Sequence, residues 1–123
     1  MKVWPIYYKH KLHIGDVQSN VGLVTLWTPT EALISKVSPE NYCLAGQLYS
    51  KRGINYIIRN ILANPLIDTL VVCGANLSGS AEALLGFCAE GVDEQHNVIG
   101  VDKAAIDQEI DKDSLEIFRK NIQ

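Results

Sequence analysis

An α/β fold, with a mainly parallel sheet of about 4–5 strands and helices on both faces, is predicted by three observations. Short apolar runs rich in β-formers alternate with stretches of helical period. Each passage between them is marked by proline, glycine or a capping side chain. The 123 residues, 47% hydrophobic and 20% charged, suffice for one core and not for two. The chain therefore reads as one domain over 1–123, opening with an irregular arm over 1–20. Its helical ending is what a domain excised from a longer chain would show.

The elements follow in order. Val21, Leu23, Val24, Leu26 and Trp27 form a buried strand between Ser19-Asn20 and Pro29. Thr28-Pro29-Thr30-Glu31 then offers a capping hydroxyl, a proline at the first helical position and a carboxylate three residues on, opening a helix that ends before Pro39. Residues 42–48 (YCLAGQL) are a second strand, with Gly46 near its end where another group can approach closely. Ile54, Ile57, Ile58, Ile61 and Leu62 recur at helical spacing until Asn64-Pro65 stops them. Residues 66–73 (LIDTLVVC) suit a central parallel strand, closed by Gly74. Ser78 or Ser80 can cap a helix carrying Ala81, Leu84, Leu85 and Cys88 up to Glu90-Gly91. Residues 97–101 (NVIGV) read as a fourth strand, and Asp113 with Glu116 as the cap of a last helix through Leu115, Ile117 and Phe118.

This order describes a small Rossmann-like sandwich, in which ligands sit outside the carboxyl ends of the strands. The residues so placed are Thr28; Gly46 and Gln47; Gly74, Ala75, Asn76, Leu77, Ser78, Gly79 and Ser80; and Gly100 with Asp102. The 74–80 turn carries two hydroxyls and an amide at a helix start, where free backbone donors favour an anionic or amide-bearing ligand. It has neither the GxGxxG nor the GKS/T spacing, so an ordinary strand-to-helix turn remains the equal reading.

Other chemistries find little support. A net charge of −3 without a basic stripe argues against nucleic acid. Nine acids against four bases from Glu90 onward describe a solvated face or a docking surface. No apolar run is long enough to cross a bilayer, and residues 3–8 are too short for a signal peptide, so a cytoplasmic location is expected. Cys43, Cys73 and Cys88 read as reduced core thiols. His10 and His13 have no acidic or thiol partner at metal-ligand spacing, and His96 reads as a solvated turn residue. Trp4-Pro5 and Tyr7-Tyr8 suggest a terminal arm tied to its own core, or an aromatic patch facing a ligand. No nucleophile elbow or other catalytic motif occurs; an enzyme would need Asp102, Glu82 and His96 to converge.

Several segments taken together resemble one family: Trp4-Pro5, Gly15-Asp16, VGLVTL (21–26), AGQ (45–47), GINYIIRNILANP (53–65), IDTLVVCG (67–74), LSGS (77–80), EGV (90–92) and IGVDKAAI (99–106). Together they are similar to the soluble domain of the A subunit of tetrahydromethanopterin S-methyltransferase, the corrinoid-carrying component of a methanogen methyl-transfer complex. The resemblance implies a Rossmann-like fold with cobalamin at the strand ends, its cobalt held by a histidine directly after the turn. Ser80 stands at that position, and the stretch from the turn to Gly91 is shorter than the family's. A hydroxyl is a poor cobalt ligand beside imidazole. The family's carboxy-terminal membrane helix is not among these residues. Similar domains accompany thymidylate synthases and pterin-binding proteins, although Cys43, Cys73 and Cys88 lack the Pro-Cys-His setting of a synthase nucleophile.

The resemblance thus implies a non-catalytic domain of one-carbon metabolism that binds cobalamin or a pterin or folate and is fused to, or associated with, a methyl-transfer or thymidylate synthase enzyme. The other expectations are a structural or homo-oligomerising domain and a cobalamin-binding methyl carrier.

Overall fold

The computed structural model describes residues 12–76 and 78–122. Its sheet holds β1 (His13–Ile14), β2 (Val21–Val24), β3 (Leu44–Gly46) and β4 (Thr69–Val72) in the order β1-β3-β2-β4. β2 pairs in parallel with β3 on one side and with β4 on the other, while β1 is antiparallel to β3. The chain therefore winds outward from β2 in both directions, as the predicted alternation requires.

Pairing register fixes the two faces of the sheet. Leu23, Ala45 and Val71 share one face with His13, and Gly22, Val24, Leu44, Gly46, Leu70 and Val72 share the other. The short helix α1 (Thr30–Ile34) lies over β3, where Ala45 is fully buried and His13 reaches Glu31 at 3.2 Å. On the opposite face stand α2 (Ile54–Leu62), α3 (Ser80–Glu90) and α4 (Lys112–Asn121), packed against one another. Ile54 and Ile58 are fully buried from α2, Leu84 and Phe87 from α3, and Leu115 and Phe118 from α4. Phe87 and Phe118 meet with ring centroids 5.7 Å apart.

Three expectations are corrected. The fourth strand does not form at residues 97–101: that segment makes only isolated bridges, Val92 to Val98 and Asn97 to Ala105. The Asp93 carboxylate accepts from the Gln95 and Asn97 amides, both at 2.9 Å, and folds the segment back on itself before it can reach the sheet. The remaining strand instead comes from His13–Ile14, inside the stretch expected to be irregular. Helix caps also shift. The α1 N-cap is Pro29, because the Thr28 hydroxyl accepts from the Ala75 amide at 2.9 Å. Asp111 caps α4 by accepting from the Ser114 amide at 2.7 Å, while Glu116 pairs with Arg119 instead. Lastly, His96 is buried, its Nε2 lying 2.9 Å from the Ile110 carbonyl oxygen.

Candidate functional site

The strand order places a topological switch between β2 and β4, whose following segments leave toward α1 on one face and α3 on the other. In this chain the crevice is closed by the protein itself. The Trp27 amide donates to the Ala75 carbonyl at 3.0 Å, and the Ala75 amide donates to the Thr28 hydroxyl. Gly74 (φ +94°) permits this approach, because a methyl group there would collide with the Thr25 carbonyl oxygen. Leu26 precedes the junction at φ +53°, a strained conformation for a branched apolar residue. The Gln47 side chain holds it, donating through Nε2 to the Leu26 and Trp27 carbonyls at 3.3 and 3.1 Å.

The 74–80 turn is equally committed. Ser78 Oγ donates to the Tyr49 carbonyl and Ser80 Oγ to the Leu48 carbonyl, at 2.9 and 2.7 Å, so neither caps α3; Gly79 does. The Asn76 amide donates to both oxygens of Glu82, and that bond is the main reason the Glu82 carboxyl titrates below its ordinary value. A carboxylate thus already occupies the first turn of α3, the place expected to attract an anion. Lys51 lies against Gly79, and its Nζ donates to the Asp102 carbonyl at 2.7 Å. The structure therefore draws Thr28, Gln47, Gly74, Ala75, Asn76, Ser78, Gly79, Ser80 and the Asp102 carbonyl into one cluster, in which Thr28, Gln47, Asn76, Ser78 and Ser80 bond to groups of the protein itself while Gln47 and Asn76 stay exposed. Gly100 stands apart on an exposed turn, and no heavy atom lies within 4 Å of the point its Cβ would occupy. Leu77, Trp4-Pro5, Tyr7-Tyr8 and His10 lie outside the described residues.

Beside exposed polar residues such as Gln47 and Asn76, this edge also presents aromatic rings to solvent. Trp27 and Tyr49 are 43% and 48% exposed and meet edge-on with centroids 6.0 Å apart. Sequence reasoning misses Tyr49 as a site residue: its backbone position follows a strand, but nothing in its immediate sequence distinguishes it from an ordinary surface tyrosine. Beneath this rim a cavity of about 330 Å³ runs between α2 and the sheet. Gly22, Gly46, Leu44 and Leu70 form its floor, Tyr56, Ile57 and Ile61 of α2 its roof, and Gln47, Ser50 and Arg52 supply polar atoms. Of the expected residues only Gly46 and Gln47 line it. Gly46 leaves room for the Leu12 side chain, which a methyl group at that position would strike.

Among the described residues, two of the titratable groups expected at the strand ends, His96 and Glu82, are engaged within the fold. His96 is buried against Ile110 while Glu82 bonds Asn76, so the three groups an enzyme would need do not converge. No group of three or more metal-ligating side chains gathers among the described residues. Cys43, Cys73 and Cys88 are free thiols, each raised in pKa chiefly by burial; Cys43 lies in the core, whereas Cys73 and Cys88 are only half-buried. No helix of the described residues is long and apolar enough to cross a membrane.

The family model for the A subunit of tetrahydromethanopterin S-methyltransferase matches residues 1–123. One of the A subunits of Methanothermobacter thermautotrophicus is 30% identical over 89% of this chain and 61% of its own length. The A subunit of Methanocaldococcus jannaschii is 27% identical, and that of Methanopyrus kandleri 30%, each over 97% of this chain and 50% of the relative. The chain spans between half and three-fifths of the length of these relatives. With the whole chain matched and the expected α/β sheet in place, this protein belongs to the family of tetrahydromethanopterin S-methyltransferase A subunits.

Proposed function

We propose that the chain is a non-catalytic, ligand-binding domain of a methyl-transfer system, presenting a planar corrinoid or pterin to an associated enzyme. The observation that carries this reading is the exposed Trp27–Tyr49 pair at the carboxyl edge of the sheet, in a chain matched throughout by the A-subunit family. Flat conjugated rings bind by stacking on such surfaces while rim polar groups fix their orientation. Lys51 and Arg52, on the helical turn that leads into α2, and Asn76 in the turn after β4 follow the strand ends.

Among the described residues, the position where the resemblance would put a cobalt ligand does not fit that role. Ser80 is fully buried and its hydroxyl is held by the Leu48 carbonyl, so nothing at that position faces outward. His13 pairs with Glu31 and His96 lies against Ile110, so both imidazoles are engaged within the fold. The described residues would therefore hold a corrinoid at this edge by its ring and periphery, through Trp27, Tyr49 and the polar groups around them. The role proposed is binding and presentation, with a cytoplasmic setting in keeping with three free thiols. The tie to thymidylate synthases draws on nothing in the family match or in these relatives and is no part of the proposal.

The test is titration of the purified chain with cobalamin and, separately, with a reduced folate, followed by tryptophan fluorescence and visible absorbance. Binding that quenches Trp27, leaves the cobalamin spectrum free of an imidazole signature, and weakens about tenfold or more in Trp27→Ala is expected. Absence of binding to both ligands removes the proposal. An imidazole-ligated spectrum overturns its account of Ser80.

A further inference from the structure

We propose that β4 is a self-pairing edge, through which two copies of this chain join antiparallel with Val71 of one copy opposite its counterpart in the other. Among the described residues β4 ends the sheet, and its inward groups are accounted for: the Thr69 amide donates to the Asn20 carbonyl at 3.1 Å and the Cys73 amide to the Val24 carbonyl at 2.8 Å. Alternation along a strand then turns the Leu70 and Val72 backbone groups outward.

Exposed edges are ordinarily protected by lysine, proline, a bulge or a covering element. Thr69–Val72 carries no charge and no proline. α1 covers β3 rather than β4, leaving Val71 45% exposed on that face. On the other face an apolar groove of about 140 Å³ runs beside the strand, lined by Leu70, Val72, Leu84, Leu85, Cys88 and Ile122, and Leu85 is 57% exposed.

Symmetry and charge select a second copy as the occupant. A two-fold axis through an antiparallel pair must pass beside a residue that faces itself. With that residue Val71, each Leu70 falls opposite a Val72, both presenting outward groups, so two reciprocal pairs give about four hydrogen bonds. Shifting the axis to Leu70 would bring Asp68 opposite Val72, although the Asp68 amide is already spent on the Asn20 carbonyl at 3.0 Å. In the Val71 register Asp68 meets Gly74, and the two Asp68 carboxylates stand about six residues apart along the strands, roughly 20 Å, beyond the screening length of ordinary buffer. No like charges oppose, and the exposed valines cover one another.

Sedimentation of the chain over a wide concentration range should show a reversible monomer–dimer equilibrium. Val71→Lys should abolish the dimer while leaving the circular dichroism and melting temperature of the monomer unchanged, because the side chain is exposed. Val71→Cys, mildly oxidised, should give a dimer whose cross-link maps by mass spectrometry to position 71, since residues facing each other in this type of pair lie about 4.5 Å apart at Cα, within disulfide reach. Wild-type chain that stays monomeric throughout, or a dimer indifferent to Val71→Lys with no cross-link at 71, overturns the proposal. The titration of Trp27 is read separately on monomeric Val71→Lys, so neither result prejudges the other.

Discussion

Single side chains decide whether the strand-end cluster is a ligand cradle or part of the fold, and most of them belong to the fold. Ser80→Ala removes the donor from the buried Leu48 carbonyl and is expected to lower stability by about 1–3 kcal/mol, measured by chemical denaturation. Gly74→Ala should cost about 2 kcal/mol or more, since its positive φ and the Thr25 carbonyl both oppose a side chain. Gln47→Ala should free the strained Leu26 turn, seen as faster hydrogen exchange of the Trp27 amide. At this level the sequence is informative about place and poor about use. The glycines and hydroxyls of 74–80 do fall at a strand-to-helix junction, but their partners Leu48, Tyr49 and Thr28 lie about thirty or more residues away in the chain, and no local pattern encodes such pairings. His96 shows the same blindness: its polar neighbours suggest solvent, whereas the Ile110 carbonyl that receives it arrives from a later turn.

Among the elements, strong periodicity translates into structure and weak signals do not. The isoleucine stripe over 54–62 becomes α2 because it meets three other elements at once, and Ile58→Ala, at a fully buried position, should cost about 2–5 kcal/mol. The apolar runs at 21–24, 44–46 and 69–72 form the parallel core of the sheet. Residues 97–101 have the composition of a strand, yet two backbone bonds to Asp93 are enough to fold them away. β1 escapes a reading of the sequence because two residues cannot display alternation; it exists only as a partner for β3. Removing the α4 cap by Asp111→Ala should cost about 1 kcal/mol and fray the last helix, read from loss of helical ellipticity.

For the molecule as a whole, titration sets the limits of stability. Backbone and side-chain donors hold Asp93, Asp111, Glu31 and Glu82 below their ordinary values, the Asn97 amide leading for Asp93 and the Ser114 amide for Asp111. Their contributions are complete above the ordinary carboxylate range of 3.8 to 4.5 and are lost as pH falls through the lowered values. The thiols act at the other end: burial raises them, so their contribution is full below the ordinary 9.0 and drains away as pH climbs through the raised values. Thermal melts across pH should therefore show a plateau with a fall on each side, and Asp93→Asn should flatten the acid limb.

One buried amide carries a liability of a different kind. Asn55, 1% exposed, donates to the Arg52 and Ala105 carbonyls and accepts from the Asp107 amide at 2.6 Å, so with Arg59, which pairs with Asp107 at 2.7 Å, it fastens the 93–110 segment to α2. Asn55→Asp would keep the shape but replace two donors with an acceptor facing two carbonyls. The 93–110 segment would then loosen from α2 at this clasp, by electrostatic repulsion at one position, while every hydrophobic contact around it stayed intact.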